Sequence, residues 1–426
     1  MTGRQAMLHP KLIEGEVRVI GPRWSSRVHQ LKAFLARSRV PFRWLDIERS
    51  RDARAAAARA GRSCEMGVVV LFPDGSSLVD PDLRAVAEKL GLGTAPRART
   101  YDLIIVGGGP AGLSASIAGA SDGLRTAVVE QDVPGGQASY SASIENYPGF
   151  PEGMSGSDLA RRMIEQAERF GVEILVTRRA TQLRADGQLR AVSLEDGAEL
   201  SADAVLLSTG VSFRWLDAPG CATLVGAGVY YGAATAEAAT YAGQDVYVLG
   251  GGNSAGQAAL LLARYARRVI LLTLESSLEE TMSMYLVERI LRTHNITVRP
   301  NHTVVGAEGS GHLEWITIQH VITGSSQRVP TDGLFVFIGA TPHTEWLANA
   351  VARDQQGFVL SGPDLCTADQ RRPGWPLDRD PYVFETSMPG VFVAGDVRRG
   401  SVKRLASAIG EGAMAVQSTH QYRKHS

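Results

Sequence analysis

Two segments of this chain each run strand, glycine-rich turn, helix, strand, acid, and no other feature restricts its fold as much. Residues 102–106 form an apolar run that reads as a buried strand. Gly107-Gly108-Gly109-Pro110-Ala111-Gly112 follows, then a helical pattern over 113–120 and a second strand over 124–130. This is G-x-G-x-x-G in the setting that binds a dinucleotide. Gly107 permits the tight turn, Gly109 lets the backbone approach a pyrophosphate, and Gly112 lets the helix pack on the sheet. Pro110 and Ala111 belong to the same candidate cofactor site, and the N-terminus of the helix that follows offers free amides and a partial positive charge to phosphates. Glu130 lies 23 residues after Gly107, where a carboxylate binds ribose hydroxyls, and Gln131 stands beside it.

The pattern returns at 245–249, an apolar strand leading into Gly250-Gly251-Gly252-Asn253-Ser254-Ala255-Gly256. A helix is predicted over 257–265 and a strand over 269–274, with Glu275 at its end. Ala255 takes the third glycine position, an allowed variant. Two such turns in one chain suggest a flavin site and a nicotinamide site. A carboxylate at Glu275 accepts hydrogen bonds from a ribose 2′-hydroxyl and repels a 2′-phosphate. Residues 269–288 hold no lysine or arginine but include Glu275, Glu279, Glu280 and Glu288. A nicotinamide nucleotide here is therefore expected to be NADH rather than NADPH; the alternative is a degenerate turn that binds nothing well.

The remaining bulk properties exclude several classes. Lysine plus arginine equals aspartate plus glutamate, 44 each, which argues against general binding to nucleic acid. No apolar run approaches the ~18 residues of a membrane span, and residues 1–12 lack a signal-type hydrophobic segment. A cytoplasmic location is expected. The three cysteines, Cys64, Cys221 and Cys366, are far apart, and no Cys-x-x-Cys exists. Neither a metal knuckle nor a local redox dithiol is expected.

Before the first glycine turn, residues 16–20, 42–47 and 67–72 read as strands. A fourth short strand begins at Leu78 after the turn Pro73-Asp74-Gly75. Helices are predicted over 25–37, with Val28, Leu31, Phe34 and Leu35 on one face, and over 51–60 and 81–90. The order is β-α-β-α-β-β-α, and 93–100 reads as a linker. With Val40-Pro41-Phe42 and Phe72-Pro73-Asp74-Gly75, this stretch resembles a thioredoxin or glutaredoxin fold. Active members of that fold carry Cys-x-x-Cys at the first helix; the matching positions here are Ser25 and Val28, and Gly67 stands where a cis-proline is usual. Without a thiolate this unit cannot run thiol chemistry, which leaves docking a partner or a structural cap.

Further along come Gly135-Gly136-Gln137, then Ile144-Glu145-Asn146-Tyr147-Pro148-Gly149-Phe150. Leu206-Leu207-Ser208-Thr209-Gly210, Phe337-Ile338-Gly339 and Val391-Phe392-Val393-Ala394-Gly395-Asp396 follow, the last leading into 403–412. From 101 to 421 this ordered set resembles the thioredoxin reductase branch of the class II pyridine nucleotide-disulfide oxidoreductases. The resemblance implies an α/β chain with two nested Rossmann-like FAD- and NAD(P)-binding domains, preceded here by the thioredoxin-fold domain. The expected division is 1–95 thioredoxin-like, 96–215 and 339–426 the two parts of the FAD domain, and 216–338 the NAD(P) domain. It also implies that Asp396 meets the flavin ribityl chain and that Gly136, Gln137 and Asn146 line the flavin region. Thr209, Gly210 and Gly395 belong to the same site, and the backbone around Arg404, Leu405 and Ala406 approaches the pyrimidine end of the ring. Gly339 belongs to the nicotinamide side. A homodimer is implied too.

The departure lies at the family's own dithiol, whose positions here fall near Ala233 and Ala236. Alanine forms neither thiolate nor disulfide, so disulfide reduction by the usual route is not expected. The stretches 252–259 and 400–404 resemble a subset of the family that lacks the dithiol and carries an added N-terminal domain. The candidates for new chemistry are Tyr230 and Tyr231, against the flavin face or a substrate, with core packing the other reading. His343 and Glu345 are acid–base candidates near the crossover, with a structural histidine the alternative. The expected function is an FAD-dependent oxidoreductase linking a nicotinamide or small organic substrate to an unidentified acceptor. An FAD-binding regulatory module that docks a protein partner, and direct reduction of a thioredoxin disulfide, are the competing readings.

Overall fold

The computed structural model describes residues 15–60, 67–141, 144–231, 237–365 and 375–425. Cys64, Cys366, Ala233 and Ala236 lie outside the described residues, as does the segment 1–12.

The chain opens with β1 (Val17–Gly21), α1 (Ser26–Arg37), β2 (Phe42–Asp46), α2 (Arg51–Arg59), β3 (Val69–Leu71), β4 (Ser77–Val79) and α3 (Leu83–Lys89). Each helix starts where a side chain caps its first turn: Ser25, Ser50 and Asp82 accept from the amides of Val28, Ala53 and Ala85. The four strands form one sheet in the order β2-β1-β3-β4, with β1 parallel to β2 and antiparallel to β3. Val28, Leu31, Phe34 and Leu35 are the buried stripe of α1, as their helical spacing requires.

A second sheet follows. β5 (Thr100–Val106), β6 (Thr126–Val129) and β7 (Glu173–Leu175) pair in parallel, with α4 (Pro110–Ser121) and α5 (Gly156–Arg169) as crossovers. β8 (Ala180–Asp186), β9 (Leu189–Leu194) and β10 (Glu199–Leu207) then form an antiparallel meander. β10 is the hinge of this sheet. One edge runs parallel to β5; the other pairs first with β9 and then, from Val205 to Leu207, with β21 (Val391–Val393). That second use of one edge brings the C-terminal segment beside the first glycine turn.

Between those two passages the chain leaves and returns through a two-stranded ribbon, β11 (Val211–Phe213) against β20 (Ala340–Pro342). The inserted unit holds a parallel sheet in the order β12-β19-β13-β14-β15. Its strands are β12 (Val229–Tyr231), β13 (Asp245–Leu249), β14 (Arg268–Leu272), β15 (Ile296–Arg299) and β19 (Gly333–Val336). Helices α6 (Asn253–Leu262) and α7 (Met284–Arg292) pack on it. An antiparallel sheet of β16 (His302–Glu308), β17 (Trp315–His320) and β18 (Ser326–Pro330) flanks it. Helix α8 (Leu405–His425) ends the chain and lies against α4.

The first unit is not a free appendage. Its core residues Leu90 and Leu92 belong to one continuous apolar cluster with Leu103, Val172 and Ile174 of the second sheet. The amide of Val176 donates to Gly93 O at 2.8 Å, and a Cβ on Gly93 would lie 2.7 Å from Ile174 O. No described helix is long and apolar enough to cross a membrane.

Candidate functional site

The first glycine turn is closed by steric need. Gly107 has φ +108°, and a Cβ there would lie 2.3 Å from Ser208 O. A Cβ on Gly112 would lie 1.9 Å from Gly107 O, so α4 can touch the turn only through glycine. Ser208, at the end of β10, seals the contact by donating its hydroxyl to Gly107 O at 2.8 Å. Gly109 caps α4 with no side-chain hydrogen bond and Pro110 follows, so the cap residue leaves the leading amides of the helix unsatisfied. Gly135 N donates to Gly108 O, and Gly136 sits directly over Gly109.

Glu130 follows β6 and is buried. Its Oε2 accepts from Gly108 N at 2.7 Å and its Oε1 from Asp132 N at 2.9 Å. Burial pushes its carboxyl up, and the two amides work against that without cancelling it. Each oxygen keeps a second lone pair for a ribose hydroxyl. Gln131 and Asn146 are exposed.

The C-terminal segment completes the site. Gly395 has φ +78°, and its missing Cβ would lie 2.9 Å from Ala111 Cβ. Gly412 of α8 approaches the same residue, where a Cβ would lie 2.1 Å from Ala111 O. The α4 turn, Gly395-Asp396 and α8 therefore converge on Ala111. Asp396 is half-buried, and its carboxylate makes no hydrogen bond among the described residues. Burial pushes it above the usual carboxylate range. Arg404 and Ala406 are exposed at the start of α8, with Leu405 half-buried between them. Glu411, which no sequence motif singles out, organises this loop. It accepts from Gly395 N at 2.7 Å, from Arg398 at 2.7 Å and from Ser401 at 2.9 Å. Its lone position in the small-residue run before Gly412 is the one signal of this role that the sequence carries.

The crossover supports the site through backbone contacts. Thr209 Oγ1 donates to His343 O at 2.9 Å, and His343 N donates to Gly210 O at 3.1 Å. Gln137 donates its amide to Val211 O, which ties the Gly135-Gly136 loop to β11. The His343 imidazole is half-buried; burial, with Arg179, holds it below the usual histidine range although Glu345 opposes this.

Both tyrosines take packing roles. Tyr230 is buried, stacks on Phe335 and joins Tyr241 through their hydroxyls at 3.1 Å. Tyr231 accepts from Leu216 N at 3.1 Å and packs against Trp215, 4.6 Å between ring centres.

The second turn repeats the first. A Cβ on Gly250 would lie 2.4 Å from Phe337 O, and one on Gly251 would lie 2.2 Å from Glu275 Oε2. Glu275 therefore stands over Gly251 much as Glu130 stands over Gly108. It accepts from Thr273 Oγ1, a partner that the motif does not include, and stays half-exposed. Gly252 caps α6 without a side-chain bond, and a Cβ there would meet nothing within 4 Å. Asn253 holds the α7 approach through Ser283, accepting from its amide at 2.7 Å and donating to its hydroxyl at 3.0 Å. Ser254 is exposed and Ala255 buried; Gly339, at φ +103°, faces open space beside the ribbon.

Both turns thus fit dinucleotides: glycines where only glycine fits, an uncapped helix end, and a carboxylate at the second strand. The half-buried, unpartnered Asp396 beside the first turn fits a hydroxyl-bearing ligand such as the ribityl chain of FAD. A cavity of about 710 Å³ lined by Arg353, Trp375 and Ser387 shares no lining residue with either turn. The Arg353 guanidinium is held by the carbonyls of Thr344 and Ala348.

Comparison with known proteins agrees with this geometry. The family model described as pyridine nucleotide-disulphide oxidoreductase matches residues 101–412. Thioredoxin reductase of Bacillus subtilis is 30% identical over 328 residues, 76% of this chain and 95% of that protein. The F component of the alkyl hydroperoxide reductase of Staphylococcus epidermidis is 33% identical over 322 residues, 76% of this chain; the chain spans 59% of that longer relative. Among solved structures, Lactococcus lactis thioredoxin reductase in its FR conformation aligns at TM-score 0.68 and 27% identity, covering 76% of this chain and 100% of that one. T. acidophilum thioredoxin reductase aligns at 0.68 and 27%, covering 77% of this chain and 99% of that one.

Proposed function

The chain belongs to the pyridine nucleotide-disulphide oxidoreductase family, and from that premise we propose that it carries electrons from NADH, in preference to NADPH, through FAD to an acceptor that no dithiol of this chain reduces. FAD and a nicotinamide nucleotide are the cofactors of this family. Bound together, they supply hydride donation and acceptance, so no acid or base of the protein is strictly required.

The chain's own residues bind and orient. Glu130 and Glu275 are suited to ribose hydroxyls, and Asp396 to the ribityl chain. The leading end of α8 is suited to negative charge on the ring. The preference for NADH rests on Glu275, which stands over Gly251 in a segment without lysine or arginine.

The observation that carries the missing thiol route is Cys221. It is the one free cysteine among the described residues, it is fully buried, and burial pushes its thiol up to about 11. A thiolate does not form there at neutral pH. No Cys-x-x-Cys occurs in the sequence.

The N-terminal unit is read as a thioredoxin-like cap. Its element order and its β2-β1-β3-β4 sheet support the resemblance. Its first helix already has an occupant. His29 holds Glu237, Trp24 stacks on His312 at 5.0 Å, and a Cβ on Gly226 would lie 3.0 Å from Ser26 Cα. The helix start where thioredoxins carry their cysteines thus packs against Gly226 and Glu237, which bracket the reductase dithiol positions in sequence, and this favours a cap over a docking arm.

Anaerobic mixing of the FAD-loaded protein with NADH and with NADPH tests the reading. Flavin absorbance should bleach faster with NADH, and added thioredoxin should not support disulfide turnover. No bleaching by either nucleotide would overturn the proposal.

A further inference from the structure

We infer that the N-terminal unit is part of the FAD site itself, because Arg37 of α1 positions the turn that carries Glu130. Arg37 and Asp132 are 95 residues apart in sequence, yet the guanidinium donates to the Asp132 carboxylate and only 12% of the Arg37 side chain is exposed. Asp132 N in turn donates to Glu130 Oε1 at 2.9 Å, and Asp132 O accepts from Thr177 N at 3.1 Å. The same guanidinium lies 5.1 Å over the Tyr140 ring. Tyr140 closes the short helical turn Gly136–Tyr140, whose first residue abuts Gly109. One side chain from α1 therefore ties together the two loops that flank the first glycine turn.

A second observation points to a ligand. Arg37 Nε and Asp132 Oδ1 are both buried, and neither has a hydrogen-bond partner among the described residues. Buried polar atoms are almost always paired. A donor and an acceptor left open within one ion pair, two residues from the ribose-binding carboxylate, mark a place that a polar ligand completes. The adenosine end of FAD is the part of that cofactor which Glu130 receives, so it is the matching group. Arg39 supplies the contrast. It joins the same helix to the same domain by an exposed 2.8 Å ion pair with Asp158, which lies outside the cradle. A helix that needed only anchoring has that pair, while Arg37 is buried where the nucleotide belongs.

The inference rests on FAD as the cofactor and not on the electron acceptor or the NADH preference. Titrating flavin-stripped protein with FAD, followed by flavin fluorescence, therefore reads it whatever the reduction assay shows. Arg37→Met should raise the Kd for FAD by about tenfold or more, and Arg37→Lys should recover part of the loss, since lysine keeps the charge but not the fork. Arg39→Met should leave the Kd within about twofold, because exposed pairs contribute little. Should Arg37→Met fail to fold, as judged by its urea transition, Asp132→Asn keeps the shape and removes the charge partner, with the same weakening expected. An unchanged Kd in the variant that folds would overturn the inference, as would equal weakening by Arg39→Met.

Discussion

His29, on the first helix, meets Glu237, at the edge of the inserted unit, through Nδ1 and Oε1 at 2.7 Å, and Lys32 reaches the same oxygen at 3.4 Å. The carboxylate is almost wholly buried, so it depends on these partners for solvation. Burial pushes Glu237 up, but the hydrogen bond from His29 and the charge of Lys32 outweigh it, and the net position lies below the usual carboxylate range. A carboxylate whose folded pKa is depressed stabilises the fold above its unfolded value, about 4.3, and loses that contribution as pH falls through the folded value. Glu237→Ala should therefore cost about 1–3 kcal/mol in urea unfolding near neutral pH. The gap between variant and parent should narrow as the medium is made acid below the ordinary carboxylate range.

Gly252 separates fold from binding. A Cβ there meets no protein atom within 4 Å, and its φ of −89° suits any residue. Gly252→Ala should change stability by less than about 1 kcal/mol, the scale of a weak cap substitution. The added methyl occupies space that a pyrophosphate needs in order to approach the backbone. The KM for NADH in flavin reduction should rise by about tenfold or more while the urea midpoint barely moves.

Glu275 should set the choice of nucleotide. Its carboxylate stands over Gly251 and is held by Thr273. Glu275→Ser removes both the acceptor for a 2′-hydroxyl and the charge that repels a 2′-phosphate. The ratio of kcat/KM for NADH over NADPH should fall by about tenfold or more, some 1.4 kcal/mol of discrimination. Measuring flavin reduction with each nucleotide checks it, and an unchanged ratio would show that selection lies elsewhere.

Cys221 should behave as a core atom. It packs with Ala218, Leu224 and Val304, and burial holds its thiol at about 11. Alkylation of the native protein at neutral pH, mapped by peptide mass, should leave Cys221 unmodified until the chain is unfolded. Cys221→Ala should keep flavin reduction unchanged.

What the sequence disclosed follows from the range of the forces involved. The glycine turns are legible because part of their requirement is local: Gly107 holds φ +108°, and a Cβ on Gly112 would lie 1.9 Å from Gly107 O, five residues away. The first unit is legible because Val28, Leu31, Phe34 and Leu35 repeat at helical spacing. The apolar pattern predicts the helix of the second turn from Gln257, whereas it begins at Asn253, since its first turn is polar and glycine-capped and shows no apolar period. The contacts Arg37 with Asp132 and His29 with Glu237 join residues 95 and 208 positions apart. Such pairs leave no periodic trace, so the sequence can suggest a cap but not which residues it touches. Tyr230 and Tyr231 illustrate the converse. They draw attention by their place in the dithiol region, while their hydroxyls answer Tyr241 and the Leu216 amide.

Asp396 should reveal its ligand by a reversal of sign. Its carboxylate is half-buried without a hydrogen-bond partner among the described residues, and burial raises its pKa although the charge of Lys403 opposes this. A carboxyl whose folded pKa is raised contributes stability that is full below the unfolded value and is lost as pH rises through the folded one. At neutral pH the ionised group therefore opposes folding of the flavin-free protein. Asp396→Asn removes the charge at almost constant shape, so the flavin-free variant should be as stable as the parent or more so, by up to about 1 kcal/mol. If FAD binds here as proposed, the carboxylate would gain a hydroxyl partner, and a hydrogen bond to a charged group contributes about 1.5–3 kcal/mol. The FAD-loaded variant should then melt below the FAD-loaded parent. Thermal unfolding of both proteins with and without FAD measures the two differences, and the same sign in both states would remove Asp396 from the cofactor site.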